Sequence, residues 1–246
     1  MSPHGGNIVL PLSDRVKIYY HTKQAMEIRE TIKEIKTQLR LSMNGITSAH
    51  QRKQGLDYKI NFGVEIPRLK ELASNYPKDK QLAEVLWAEN IRESKLLAIF
   101  LYPTDKFTAE TAEKWIDESP FTEIADHLCR NLLVSLGDAK EKALTLISDK
   151  SNMRRYCGYS TLSNLFRTGA TLDPKEESLY LEALKETLDQ TEGSHLPTCN
   201  AAIISLTRYT EKNRERAASI CDKIEKWEIN NNEAIKSLIQ NIREEY

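Results

Sequence analysis

Glycine and proline are scarce, nine and eight in 246 residues. A loop-rich all-β protein needs both at its turns, so that class is excluded. Cysteine is scarcer still: four residues, at 129, 157, 199 and 221, with no CxxC and no Cys/His cluster. Three of the four fall inside apolar helical patterns and read as small buried hydrophobes of a reducing compartment. Neither a disulfide framework nor a metal site is expected from them. No apolar run approaches the ~18 residues of a spanning helix, so no membrane partner is expected. The P-loop, the dinucleotide-binding glycine fingerprint, HExxH and GxSxG are all missing. Their absence disfavours a nucleotide-driven or metal-dependent enzyme, and no cofactor is expected.

What is present is a charged, helix-rich composition, 40% hydrophobic and 29% charged. The net charge is −1 overall. Residues 1–60 hold ten Lys/Arg against five Asp/Glu, a balance of +5, so the rest of the chain carries −6. A basic N-terminal quarter can supply a local phosphate-binding surface, solvated helix faces being the plain alternative. The start, MSPHGGNIVLPLS, lacks a basic region followed by a long apolar core. It reads as a flexible tail over residues 1–12 ahead of one domain spanning 13–246, with a cytoplasmic location as the default.

The spacing predicts helices nearly throughout. Met26, Ile28, Ile32, Ile35 and Leu39 recur by three and four within a helix over 13–43. A stretch of short pieces punctuated by Gly45, Gly55 and Gly63 follows. Further helices are predicted at 66–76, 79–89, 92–102, 108–118, 121–136, 138–149, 152–168, 174–190, 197–210, 212–226 and 230–245. Pro67, Pro77, Pro103, Gly137, Gly169, Pro174, Gly193 and Pro197 mark the breaks.

A faint internal repeat runs through these segments. AEVLWAENIRESKLLAIFL, AEKWIDESPFTEIADHLCRNLL and IEKWEINNNEAIKSLIQNI each begin with an acidic, apolar helix ending near a tryptophan: Trp87, Trp115 or Trp227. A polar turn and a second helix follow. ALTLISDKSNMRRYCGYSTL has the same design, with Ile147 at the tryptophan position. Paired helices of this kind cannot bury their faces alone and stack into an α-solenoid. The expected fold is therefore all-α, stacked antiparallel helix pairs curved around a concave groove, with a non-repetitive helical bundle as the rival. In a solenoid the second helices line the concave face, placing function on 92–102, 121–136, 152–168, 197–210 and 230–245.

Three constellations carry candidate chemistry. In FTEIADHLCRNLL, Asp126 borders the apolar face made by Phe121, Ile124, Leu128 and Leu132. Arg130 stands four residues on, so an i,i+4 ion pair is the plain alternative to a working carboxylate. SNMRRYCGYSTLSNLF puts Arg154 and Arg155 at the start of a helix, followed by Tyr156 and Tyr159. Backbone N–H groups and guanidinium forks together suit phosphate there. Near HQRKQGLDYKINF, Arg52, Lys53 and Lys59 interleave with Tyr58 and Phe62, a pattern that suits a nucleic-acid backbone.

Taken in order, GVEIPRLKELA, LAEVLWAENIRESKLLAIFL, WIDESPFTEIADHLC, the arginine-led helix and PTCNAAIISLTRY resemble the bacterial DNA alkylation repair proteins of the AlkD type. These are HEAT-like solenoids that act as DNA glycosylases, and the resemblance spans residues 25–245. It implies a basic concave surface for duplex DNA, in a monomer, with Asp126 at the family's aspartate and Arg155, or its neighbour Arg154, at the family's arginine. Arg52, Lys53, Lys59, Arg130 and Arg208 are the further DNA-binding candidates. The implied chemistry is hydrolysis of the N-glycosidic bond of cationic purines such as 3-methyladenine and 7-methylguanine. An alkylated base is already a cationic leaving group, and a carboxylate stabilises the charge growing on the sugar. The family's aromatic partners of the aspartate are not matched: Thr122, beside Phe121, and Ser205 stand near those positions, with Tyr159 on the arginine-led helix as a further lesion-lining candidate. Three readings follow: a glycosylase, a non-catalytic protein recognising damaged or branched DNA, and a protein-interaction scaffold.

Overall fold

The structure, a computed structural model, describes residues 12–189, 196–227 and 233–245. Apart from Leu12, the expected tail over 1–12 lies outside the described residues, as does Gly193. The described chain holds thirteen α-helices and no strand; one isolated bridge joins Ile60 and Ile91. The chain divides into two compact units, residues 1–101 and 102–246.

The first unit contains α1 (Leu12–Leu41), α2 (Gly45–Lys53), α3 (Ile66–Ser74), α4 (Lys80–Trp87) and α5 (Arg92–Leu101). Helix α2 falls in the stretch expected to be short pieces. None of its residues is buried, so it shows no apolar stripe; Asn44 caps it by accepting from the Ile46 and Thr47 amides. Ile35, Leu39, Leu69, Leu86 and Leu96 are wholly buried and form the core. Against the expectation that residues 92–102 present a working surface, α5 is buried along its length except at Phe100. Its polar start is buried too. Arg92 donates to the Val64 carbonyl and pairs with Glu93, while Glu93 accepts the Phe62 and Val64 amides. Charges out of water persist only when paired in this way, and here they pin the loop ahead of α3.

The second unit contains α6 (Ala109–Asp117), α7 (Thr122–Asn131), α8 (Ala139–Leu146), α9 (Asn152–Arg167), α10 (Pro174–Asp189), α11 (Leu196–Lys212), α12 (Arg214–Glu225) and α13 (Glu233–Glu245). The expected helix 121–136 is two pieces, because after Asn131 the chain tightens into a 3-10 turn, Leu133–Ser135, that buries Leu132 and Leu133. Side chains cap α6 and α9: the Thr108 hydroxyl accepts the Thr111 amide, and the Ser151 hydroxyl accepts the Arg154 amide. Gly169, at φ +98°, ends α9 in the left-handed conformation that glycine adopts most cheaply.

Helices pair in sequence, α8 with α9 and α10 with α11, and the second members lie side by side as α7, α9 and α11. Trp115 in the last turn of α6 and Ile147 at the end of α8 are both buried, as the repeat predicts, and Trp87 closes α4 in the same way. Gly158 allows α9 to approach α8 closely. A Cβ there would stand 2.8 Å from the Ile147 nitrogen and 2.9 Å from the Ala143 oxygen. Tyr159, Phe166, Tyr180 and Tyr209 form an aromatic cluster linking α9, α10 and α11.

Candidate functional site

A groove of about 710 Å³ runs across α7, α9 and α11. Each helix contributes one face at helical spacing. Thr122, Asp126 and Arg130 come from α7; Tyr156, Ser160, Ser163, Asn164 and Arg167 from α9; Leu196, Pro197, Asn200, Ala201, Ile204 and Arg208 from α11. Residues three and four apart lie above one another on a helix, so three adjacent stripes make one continuous surface.

Asp126 is half-buried in this surface. The ion pair with Arg130 that the i,i+4 spacing allows is not among the ion pairs of the described residues. Asp126 is instead held from α9, where the Ser160 hydroxyl donates to Oδ1 at 3.0 Å. Tyr156 faces the same carboxylate. Its phenol is pushed well above the usual tyrosine range by burial first, then by the negative charge of Asp126 and a hydrogen bond to it. Beneath them lie Cys129 and Cys157, both buried and free, with the Cys129 thiol on the Cys157 carbonyl at 3.5 Å.

The cations are spread around the carboxylate. Arg130, Arg167 and Arg208 are all exposed, and each lies at or near the C-terminal end of its own helix, where the helix dipole favours positive charge. Arg208 also pairs with Glu211 at 2.9 Å, an exposed i,i+3 contact that contributes little and gives way readily. Among the groove residues three guanidiniums stand against one carboxylate. Such a surface attracts anions, and its hydroxyls and amides complement phosphate oxygens.

The predicted site residues separate into distinct places. Asp126, Thr122, Arg130 and Arg208 line the groove. Arg154 does not, because it turns to α6. Its guanidinium donates to both oxygens of Asp117 and to Glu113, at 2.6–2.7 Å, with Asp149 at 3.8 Å. The Arg154 hydrogen bonds hold the Asp117 carboxyl below its ordinary range. At Glu113 burial would raise the carboxyl, but hydrogen bonds from Lys142 and Arg154 outweigh it and the result is lowered. That fork is already filled by carboxylates and leaves nothing for phosphate.

Arg155 is 6% exposed, bonds to Asn152 on its own helix, and is absent from the groove lining. It therefore does not share a surface with Asp126. Tyr159 and Ser205 are core residues rather than lining. Tyr159 shares a hydrogen bond with Thr187, and Ser205 shares one with Tyr180. Phe121 is the residue before α7, half-buried and outside the groove lining. Arg52 and Lys53 at the end of α2, and Lys59 beyond it, are exposed residues of the first unit; Tyr58 is core.

Sequence reasoning missed Arg167, Ser160 and Asn164, and named Tyr156 only as following the two arginines. Residues 156, 160, 163 and 167 do follow one polar stripe of α9, but Arg154, Arg155 and Thr161 put polar side chains on its other faces, so the stripe has no contrast to mark it. Among the described residues no cluster of His, Cys, Asp and Glu can hold a metal ion, and no helix is long and apolar enough to cross a membrane.

Comparison with known proteins supplies the context for this groove. No curated protein matches the chain. Among solved structures, one described as "a new family of proteins related to the HEAT-like repeat DNA glycosylases with affinity for branched DNA structures" superposes with a TM-score of 0.67. The match covers 87% of this chain and 94% of that one at 19% identity, which shows a HEAT-like repeat fold. The sequence profile described as DNA alkylation repair enzyme matches residues 35–216. With most of its length under that profile, the chain belongs to the DNA alkylation repair enzyme family.

Proposed function

We propose that the protein binds DNA through the α7–α9–α11 groove as part of its family's work on alkylated DNA. One observation carries the reading: Arg130, Arg167 and Arg208 border a single groove with hydroxyl and amide donors from α9 and α11. Guanidiniums facing water without buried partners are the groups that neutralise phosphates and release counterions. Binding to a short labelled duplex tests it. The affinity falls steeply with salt, and an Arg130→Glu, Arg167→Glu double variant loses it while keeping the helical circular dichroism spectrum. Binding unaffected by salt or by the double variant refutes the reading.

A second reading adds base excision, and Asp126 is the observation behind it. The carboxylate is fixed by Ser160 and Tyr156 within the cationic surface, so it can stabilise positive charge developing on a deoxyribose after a cationic purine begins to leave. It lacks the aromatic partners that the resemblance implies: Thr122 lines the groove and Ser205 is buried, leaving Tyr156 as the aromatic of the lining. Release of 7-methylguanine from methylated DNA, lost in Asp126→Asn, supports excision. No release by protein that binds the same DNA leaves binding as the function.

A further inference from the structure

The groove is not polar throughout. Its α11 side presents Leu196 and Ile204, 53% and 54% exposed, with Pro197 and Ala201 between them and Asn200 and Arg208 beside them, while its α7 and α9 sides carry the hydroxyls, Asp126, Arg130 and Arg167. Leu196 and Ile204 are eight positions apart, about 12 Å along the helix. Phosphates and their hydration shells gain nothing from an aliphatic wall, and side chains this exposed cost free energy unless something covers them. In an intact duplex the base faces are stacked on one another and cannot reach such a wall. Unstacked nucleotides show exactly the missing complement, an apolar face joined to an anionic backbone.

We propose that the groove receives unstacked nucleotides, their bases or sugars against Leu196 and Ile204 and their phosphates toward Arg130, Arg167 and Arg208. The inference rests on the DNA-binding reading and sharpens its substrate class to DNA with locally unpaired nucleotides. Tyr156 does not supply the stacking surface, because it is buried with its hydroxyl committed to Asp126. The contact is therefore aliphatic and indifferent to base identity.

Fluorescence anisotropy with two labelled DNAs decides it: a fully paired duplex, and the same duplex carrying a three-nucleotide single-stranded gap. The wild-type protein binds the gapped DNA more tightly. A Leu196→Ser, Ile204→Ser variant, altered only at exposed positions, brings gapped binding down to the duplex level, a loss of about tenfold. The readout is the gapped-to-duplex ratio of affinities, which falls from about ten toward one in that variant. A gapped-to-duplex ratio that the variant leaves unchanged overturns the inference while the DNA-binding reading stands. Failure of the wild-type protein to bind either DNA overturns both.

Discussion

The Ser160 hydroxyl donates to Asp126 Oδ1 across 3.0 Å, tying α9 to α7 inside the groove. With the Tyr156 phenol beside it, Asp126 is held by two hydroxyl-bearing side chains of the neighbouring helix, in place of the arginine one turn along its own. It also sets a carboxylate among the three arginines of the groove lining.

Removing that charge separates binding from excision. Asp126→Asn keeps the Ser160 hydrogen bond through the amide oxygen, so folding is retained. Duplex affinity rises by about threefold to tenfold at low salt, since a like charge is withdrawn from the phosphate path. Anisotropy titrations at several salt concentrations read the change, and unaltered affinity places the phosphates away from Asp126.

Arg167→Ala and Arg154→Ala behave oppositely. The first lowers DNA affinity uniformly across sequences and reduces the log–log salt slope by about 1, as expected for one lost phosphate contact. The second leaves that slope alone and destabilises the fold by about 1–2 kcal/mol, because Glu113 and Asp117 lose a shared partner. Salt titrations and urea unfolding, run on both variants, distinguish the roles.

Gly158→Ala destabilises by about 2–3 kcal/mol, seen as a lower urea midpoint at unchanged slope. The added methyl meets backbone atoms of Ile147 and Ala143, which cannot rotate away as a side chain tip would. Gly137 is the control, with nothing within 4 Å of its Cβ position, and Gly137→Ala stays close to wild type.

Glu177 makes stability depend on acid. It is buried and receives Tyr209 at 2.7 Å, Arg216 at 2.9 Å and Lys223 at 3.1 Å, joining α10, α11 and α12. Burial pushes its carboxyl upward, but the Tyr209 and Lys223 hydrogen bonds and the two cations outweigh it and hold it below 4.5. A depressed folded pKa contributes stability in full above the unfolded value and loses it as pH falls through the folded one. Wild-type unfolding free energy therefore declines below about pH 4.5, and Glu177→Gln, less stable at pH 7, shows a shallower decline. Urea titrations at pH 7, 5 and 4 check both parts.

Helix positions were legible because their causes are local. Pro67 and Pro174 sit in the first turns of α3 and α10, Gly169 follows α9, and the apolar spacing around Trp87 and Trp115 marks two first helices. The stripe Thr122, Asp126, Arg130 was visible for the same reason, since α7 has one clearly buried face. On α9 this contrast fails. Every residue from Arg155 to Leu162 is buried, because α6, α7, α8 and α11 pack around it. With no polar side to stand out, periodicity could not say that Arg154 turns to α6, that Arg155 and Tyr159 are interior, or that Tyr156 and Ser160 meet Asp126.

By itself, then, the sequence determined an all-α chain of paired helices and the stripe of α7 that carries Asp126. Spacing, caps and breakers act within a few residues, and they are written where they act. Only the tertiary structure decided which arginines remain available to a ligand. A guanidinium is spent or free according to the helices laid against it, and Arg154 meets two carboxylates of α6 that precede it by 37 and 41 positions. Arg167, exposed in the groove lining, has no ion pair among the described residues.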